Sequence, residues 1–255
     1  MNEGNRNHLD RHDRPAGFVR RHGFVLLFIT LLFFLLLVPL VHQIREALET
    51  GTPPILEEII FVAVLAAAVI SVSKSRAALW LSLGLGVPTA VLGIVHVFFV
   101  SDRIAVVCHV FGVAFLGYVI AMMLLFVFAS RRVTFNTVCA SLCAYLLMGV
   151  VWSLVYSFID RLDPNAFYCS LPGGQRSTVL QIGRAGSSGA LYFSFTTLTT
   201  LGYGDIVPAS PIARMLASTE AITGQLYLAV LVARLVGLHI AESLAQEKAR
   251  EPRED

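Results

Sequence analysis

The stretch "TTLTTLGYGD", Thr196 to Asp205, sets four threonines, two glycines and an aspartate into a 255-residue chain that is 56% hydrophobic. Ahead of it, "SSGALYFSF" opens with Ser187 and Ser188, either of which can cap a short helix, and then offers Leu191, Tyr192, Phe193 and Phe195 for burial. Such a helix is too short to cross a bilayer. Behind the stretch, "IVPASP" leads through Ser210, a capping residue, and Pro211, suited to a first turn, into a long apolar run. The expected arrangement is re-entrant, with a half-helix entering the membrane and an extended segment leaving on the same side. Non-helical backbone at that depth is tolerated only where protein encloses it or where it lines a watery space. Gly202 and Gly204 alternate with larger residues and reach backbone angles that turn successive carbonyls toward one axis. A row of such oxygens can replace the hydration shell of an ion.

The rest of the chain supplies the membrane setting. A mean hydropathy of +0.73 with only 14% charged residues excludes an ordinary soluble domain. Six apolar runs, Gly23–Val41, Ile55–Ser73, Ala77–Val100, Ile104–Ala129, Val133–Ile159 and Ile212–Ile240, are each long enough to span a bilayer as a helix. The first follows Arg20 and Arg21 as the core of a signal peptide would, but its exit "VPLVHQIRE" offers no small-residue cleavage site, so it reads as a helix. Twelve basic residues fall on one side: five before the first run, Lys74 and Arg76, Arg131 and Arg132, and three in the tail. Six fall on the other: Arg45, Arg103, Arg161, Arg176, Arg184 and Arg214. This asymmetry predicts a multi-pass protein of the cell membrane with both termini cytoplasmic. The net charge of +2 comes with no basic run, which excludes a nucleic-acid surface. Cys108, Cys139 and Cys143 lie inside the runs and Cys169 outside them, with no metal-site spacing, so they read as structural thiols.

Thr197-x-x-Thr200-x-Gly202-Tyr203-Gly204, followed by Asp205, resembles the signature of the tetrameric P-loop potassium channels. The resemblance implies an all-α membrane protein of six transmembrane helices, with a re-entrant pore helix and a selectivity-filter loop between helices five and six. Four identical chains in the bilayer close one filter, which makes a homotetramer. By the same resemblance the carbonyls of Thr200, Leu201, Gly202 and Tyr203, with the Thr200 hydroxyl, hold K+, Gly204 completes the filter, and the Tyr203 ring points away to brace it. Thr197, Asp205, Tyr192 and Glu220 become supporting residues. The half-helix aims the negative end of its dipole at the cavity below. Tyr192 and Phe193 stand where the family often has paired tryptophans, and Tyr192 is placed to reach Asp205.

Further along, Gly224 lies twenty residues beyond Gly204, at a position where the family often has a gating hinge; close helix packing is the equal alternative. Leu228 and Val232 are candidates for lining the cavity. Glu220, a carboxylate within an apolar run, is expected to face the pore helix and accept hydrogen bonds from a threonine or serine there. Arg234 reads as an interfacial anchor that snorkels toward the cytoplasm. His96 and His109 read as packed or interfacial histidines.

The expected organisation is a cytoplasmic segment over residues 1–22, a four-helix peripheral transmembrane domain over 23–132, a pore domain over 133–240 and a short cytoplasmic tail over 241–255. Ile104–Ala129 contains no Lys or Arg, whereas a voltage sensor needs several, because each charge supplies only about 2.3 kcal/mol per 100 mV. The fifteen-residue tail is too short for a ligand-binding gating domain. The expectation is therefore passive, at most weakly voltage-dependent potassium conduction, with K+ as permeant ion and no cofactor. Metalloprotease, nucleophile-elbow and dinucleotide-binding motifs are absent, which argues against an enzyme. The alternative is a potassium-transport or potassium-sensing subunit that uses the filter as a binding site, but related transporters carry four dissimilar loops in one chain.

Overall fold

The computed structural model describes residues 14–47, 55–72, 76–99, 101–130, 133–170, 176–177 and 188–250. Expectations about Lys74, Arg131, Arg132, Arg184 and Ser187, and about the two ends of the chain at 1–13 and 251–255, fall outside them.

Each apolar run is a helix, because the intrahelical ladder satisfies every backbone group without water. In chain order these are α1 (Arg14–Ala47), α2 (Ile55–Val72), α3 (Arg76–Phe98), α4 (Asp102–Ala129), α5 (Phe135–Leu162) and, after a short α6 (Ser188–Leu198), the long α7 (Pro211–Arg250). All but α6 are long and apolar enough to cross a membrane, so the chain is a multi-pass membrane protein. Pro39 in α1 and Pro88 in α3 are carried within their helices.

Two features differ from the sequence reading. First, α7 continues to Arg250, so most of the expected tail is an extension of the last helix; Ala, Glu, Gln and Lys beyond Ile240 are strong helix formers. Second, the polar connection after α5 holds short strands. β1 (Phe167–Ser170) and β2 (Arg176–Ser177) join β3 (Ile206–Pro208), which follows the Gly202–Gly204 segment, in an antiparallel sheet ordered β2-β1-β3. Phe167 pairs with Pro208 and Tyr168 with Val207. The backbone N–H groups of Ala209 and Ser210 add bonds to the carbonyl of Ala166. The sheet thereby ties the chain leaving the glycine segment to the end of α5.

The helix α5 is central, packing on α1, α4 and α6, while α3 reaches the rest through α2 and α4. Its small buried residues, Ala140, Ser141, Cys143, Ala144 and Gly149, permit close approach. Thr134 caps it, accepting from the Thr137 N–H at 3.2 Å. A single apolar cluster runs from Leu27 and Leu31 of α1 through Val64 and Leu65 of α2, Phe115 and Met123 of α4 and Leu147 of α5 to Leu191 of α6 and Leu231 of α7.

Candidate functional site

The helix α6 ends at Leu198, and the chain turns back on its own last turn. The Thr199 N–H donates to the Phe195 carbonyl at 3.1 Å and the Thr200 N–H to that of Thr197 at 2.9 Å. The carbonyl of Thr196 accepts from both Leu201 (2.8 Å) and Gly202 (3.2 Å). The free carbonyls that every helix leaves at its C-terminus thus consume the N–H groups of the next four residues. Among the described residues nothing donates to the carbonyls of Thr200, Leu201, Gly202 or Tyr203.

Backbone handedness alternates through the same segment: φ is +58° at Thr200, +53° at Gly202 and +78° at Gly204, with Leu201 and Tyr203 between them on the ordinary side. Alternating signs of φ put successive carbonyls on one side of the chain. At Thr200, a β-branched residue in the left-handed region stores about 1–3 kcal/mol of strain, which the turn at the end of α6 must hold in place. The residues from Thr199 to Asp205 are exposed on the single chain, Tyr203 to 69%.

A polar and aromatic shell positions the segment. Glu220 of α7 is 0% exposed; Ser194 Oγ lies 2.6 Å from its Oε1 and 2.7 Å from the Gly149 carbonyl, and the Tyr156 hydroxyl donates to its Oε2. One buried carboxylate therefore joins α5, α6 and α7. Around it, the ring of Tyr156 meets Phe193 at 4.9 Å and Phe167 at 5.6 Å in edge-to-face arrangements, and Phe167 meets Phe193 at 5.3 Å. At the outer end of the segment Tyr192 Oη donates to Asp205 Oδ2 at 2.7 Å.

Gly224 is buried against the end of α6, where a Cβ would run into the Leu198 carbonyl oxygen and stand 2.9 Å from its Cδ1. Gly149 likewise receives the Phe195 ring. Thr197 is half-buried in the last turn of α6, Leu228 is half-buried, and Val232 is 58% exposed on α7. Capping of α7 comes from Ser210, whose hydroxyl accepts from the Ala213 N–H at 3.2 Å.

Arg234 is held at the end of α4: its guanidinium donates to the carbonyls of Val127 (2.7 Å), Phe128 (2.7 Å) and Ser130 (2.8 Å) and lies 5.1 Å from the centroid of the Phe128 ring. The unsatisfied carbonyls at the end of α4 are a stronger attraction for a planar five-donor cation than the interface is.

Sequence reasoning did not find Ser194, Tyr156, Gly149, Thr196 or Gln225. Gln225 Nε2 donates to the Thr200 hydroxyl at 3.4 Å, which places an amide directly beneath the segment. An amide one residue after Gly224 inside an apolar helix was the available signal.

Six apolar helices, with a short helix and a glycine segment of free carbonyls between the last two, define the molecule as a multi-pass membrane protein. Residues 175–239 match the family model described as "Ion channel". The chain is 32% identical over 114 residues to Two pore potassium channel c of Oryza sativa subsp. japonica, covering 44% of this chain and 21% of that protein. Inward rectifier potassium channel Kirbac3.1 of Paramagnetospirillum magnetotacticum is 43% identical over 87 residues, covering 33% of this chain and 29% of its own length. Protein LctB of Bacillus caldotenax is 28% identical over 131 residues, 48% of this chain and 93% of that one. No solved structure matches the chain. The chain is thus similar to potassium channels over part of its length, and it spans about a fifth of the length of the rice channel it matches.

Proposed function

We propose that the protein is a passive, potassium-selective channel of the cell membrane, with both termini cytoplasmic, in which Thr200–Gly204 is the selectivity filter. The observation that carries this reading is the backbone of that segment: N–H groups folded back onto α6, carbonyls left without donors, and φ alternating in sign. Such a ladder of oxygens, from Thr200, Leu201, Gly202 and Tyr203 with the Thr200 hydroxyl, suits a dehydrated monovalent cation. The helix α6 acts as the re-entrant pore helix, its C-terminal dipole favouring a cation in the cavity below. Gln225, Leu228 and Val232 line that cavity, and Gly224 is a packing contact or a hinge. No cofactor is needed beyond permeant K+. Purified protein in liposomes is expected to pass potassium far faster than sodium and to be blocked by barium; sodium passing at the same rate would overturn the reading.

One chain contributes one segment, and one segment cannot enclose an ion. Four copies around an axis complete the ring and cover the Tyr203 ring and the exposed backbone at membrane depth. Native mass spectrometry from lipid should therefore give a homotetramer; monomers and dimers alone would contradict it.

Helices α1 to α4 form a peripheral bundle without a sensor, because basic residues are absent from residues 104–129. Currents in planar bilayers should depend at most shallowly on voltage, where 3–4 gating charges per subunit would give steep activation. Steep, saturating activation that persists in rubidium would show charges moving elsewhere in the chain.

A further inference from the structure

Two glutamates at the start of α2, Glu57 and Glu58, are buried at 5% and 7% exposure, at the end of the bundle that carries the sheet. Isolated carboxylates inside a membrane protein are costly to bury and mark function unless something neutralises them. The carboxylate of Glu58 lies in the notch that Gly93 leaves on α3: a Cβ there would run into Oε1, and Oε1 has no hydrogen-bond partner among the described residues.

Both glutamates line a cavity of about 40 Å³ between the peripheral bundle and α5–α6, bounded also by Phe34, Ser153, Ser157 and Leu191. That is room for about three or four waters at about 10–15 Å³ each. The polar lining is made of acceptors. Ser153 Oγ donates to the Val150 carbonyl (2.7 Å) and Ser157 Oγ to that of Ser153 (2.9 Å), so both hydroxyl protons are committed within α5. Glu58 Oε1, which meets no donor among the described residues, faces this pocket and calls for a proton or another small cation.

A metal ion is disfavoured, since no group of three His, Cys, Asp or Glu side chains converges among the described residues. The charged surroundings point the same way. From α3 comes His96; from α4 come His109 and Cys108, the latter within electrostatic reach of both Glu58 and Arg161; from α5 come Asp160 and Arg161. The neighbouring α1 and α6 offer only apolar side chains to the cavity, Phe34, Val38 and Leu191. The Arg161 guanidinium in that set repels a resident metal ion.

We propose that Glu58, with the waters of this cavity, is a proton-binding site open to the sheet side of the membrane, and that its occupancy biases the pore. The first half stands by itself, and the second rests on the channel reading. The helix α5 supplies the coupling. Val150, Ser153, Leu154 and Ser157 form the stripe that faces the cavity, at helical i, i+3, i+4, i+7 spacing. Adjacent to them, Gly149 and Tyr156 face the other way, where Gly149 takes the Phe195 ring and the Ser194 hydroxyl and Tyr156 donates to Glu220. A change of charge on Glu58, across the cavity from one stripe, shifts the support of the filter on the other.

The test joins two readouts on full-length protein in lipid. Infrared difference spectra over a pH titration should show a protonated carboxyl that titrates over about two pH units and is lost in Glu58→Gln. Potassium flux should change by about fivefold or more across the same range, the low end of ordinary coupling between sites, and Glu58→Gln should flatten it without altering the preference for potassium over sodium. Gly93→Ala, which pushes the carboxylate from its notch, should move the midpoint. A titrating carboxyl band undiminished in Glu58→Gln overturns the proposal, as does its loss at fixed pH on adding sodium or calcium, or an unchanged flux response. Should Glu58→Gln fail to fold, the midpoint in Gly93→Ala decides, and an unmoved midpoint overturns it. Absence of any potassium flux in the unmodified protein would remove the channel reading and leave the infrared titration to judge the proton site.

Discussion

Valine in place of Gly224 should prevent the chain from reaching a stable assembly, and alanine should already weaken it severely. The Cβ of either residue would be driven into the Leu198 carbonyl oxygen, with the Leu198 Cδ1 at 2.9 Å. The oxygen belongs to the backbone at the end of α6 and cannot rotate away; moving it moves the turn that holds Thr199–Gly202. Overpacking of this kind costs about 1–3 kcal/mol, and alanine should lie near the upper end, lowering the unfolding midpoint by about 6–12 °C for a chain of this size. Gly237 is the control, for a Cβ there meets nothing within 4 Å. Alanine at that exposed helical site should be neutral or stabilising by up to about 1 kcal/mol. Thermal unfolding of the three proteins in one detergent checks this; equal midpoints for Gly224→Ala and the unmodified protein would show that α7 does not press on α6 there.

Glu220→Ala should be the second severe lesion. It removes the acceptor of the Tyr156 hydroxyl, in a residue itself 0% exposed, and one of the two acceptors of Ser194. An orphaned buried hydroxyl costs about 1–3 kcal/mol, and the cavity left by the side chain adds to it. Ser194 keeps the Gly149 carbonyl, so the lesion falls mainly on the Tyr156 side. A loss of about 3–5 kcal/mol is expected, seen as a lower yield of assembled protein and a lower unfolding midpoint. Adding Tyr156→Phe should recover part of it, since replacing both partners removes the orphan. If the double variant is no better than Glu220→Ala, the carboxylate acts through something other than this bond.

The six helices were legible because a bilayer imposes length and apolarity on each crossing segment, and those properties survive without knowledge of any partner. The need of Glu220 for donors was legible on the same ground, since an intramembrane carboxylate cannot stand alone. A serine or threonine of the pore helix was anticipated as a donor, and Ser194 of α6 is one; Tyr156, 64 positions away on α5, was not, since no local pattern encodes such a pairing. Short strands such as β1 and β2 escape periodicity, because two to four residues do not establish a period of two. The partners of Arg234 escaped for a related reason: its position near the end of an apolar run suggests an anchor, and only the three-dimensional structure brings the open carbonyls of Val127, Phe128 and Ser130 within its reach. The left-handed backbone was anticipated at the glycines, but at Thr200 it runs against the preference of a β-branched residue.

The central claim, that the carbonyls of Thr200–Tyr203 select potassium, is tested most directly by the reversal potential of purified protein in a planar bilayer with potassium on one side and sodium on the other. The potential should be displaced far toward the potassium equilibrium, by about 59 mV for each factor of ten in permeability ratio. The displacement should be smaller in Gly202→Ala, where φ of +53° disfavours a side chain. A reversal potential at zero in the unmodified protein would contradict the claim.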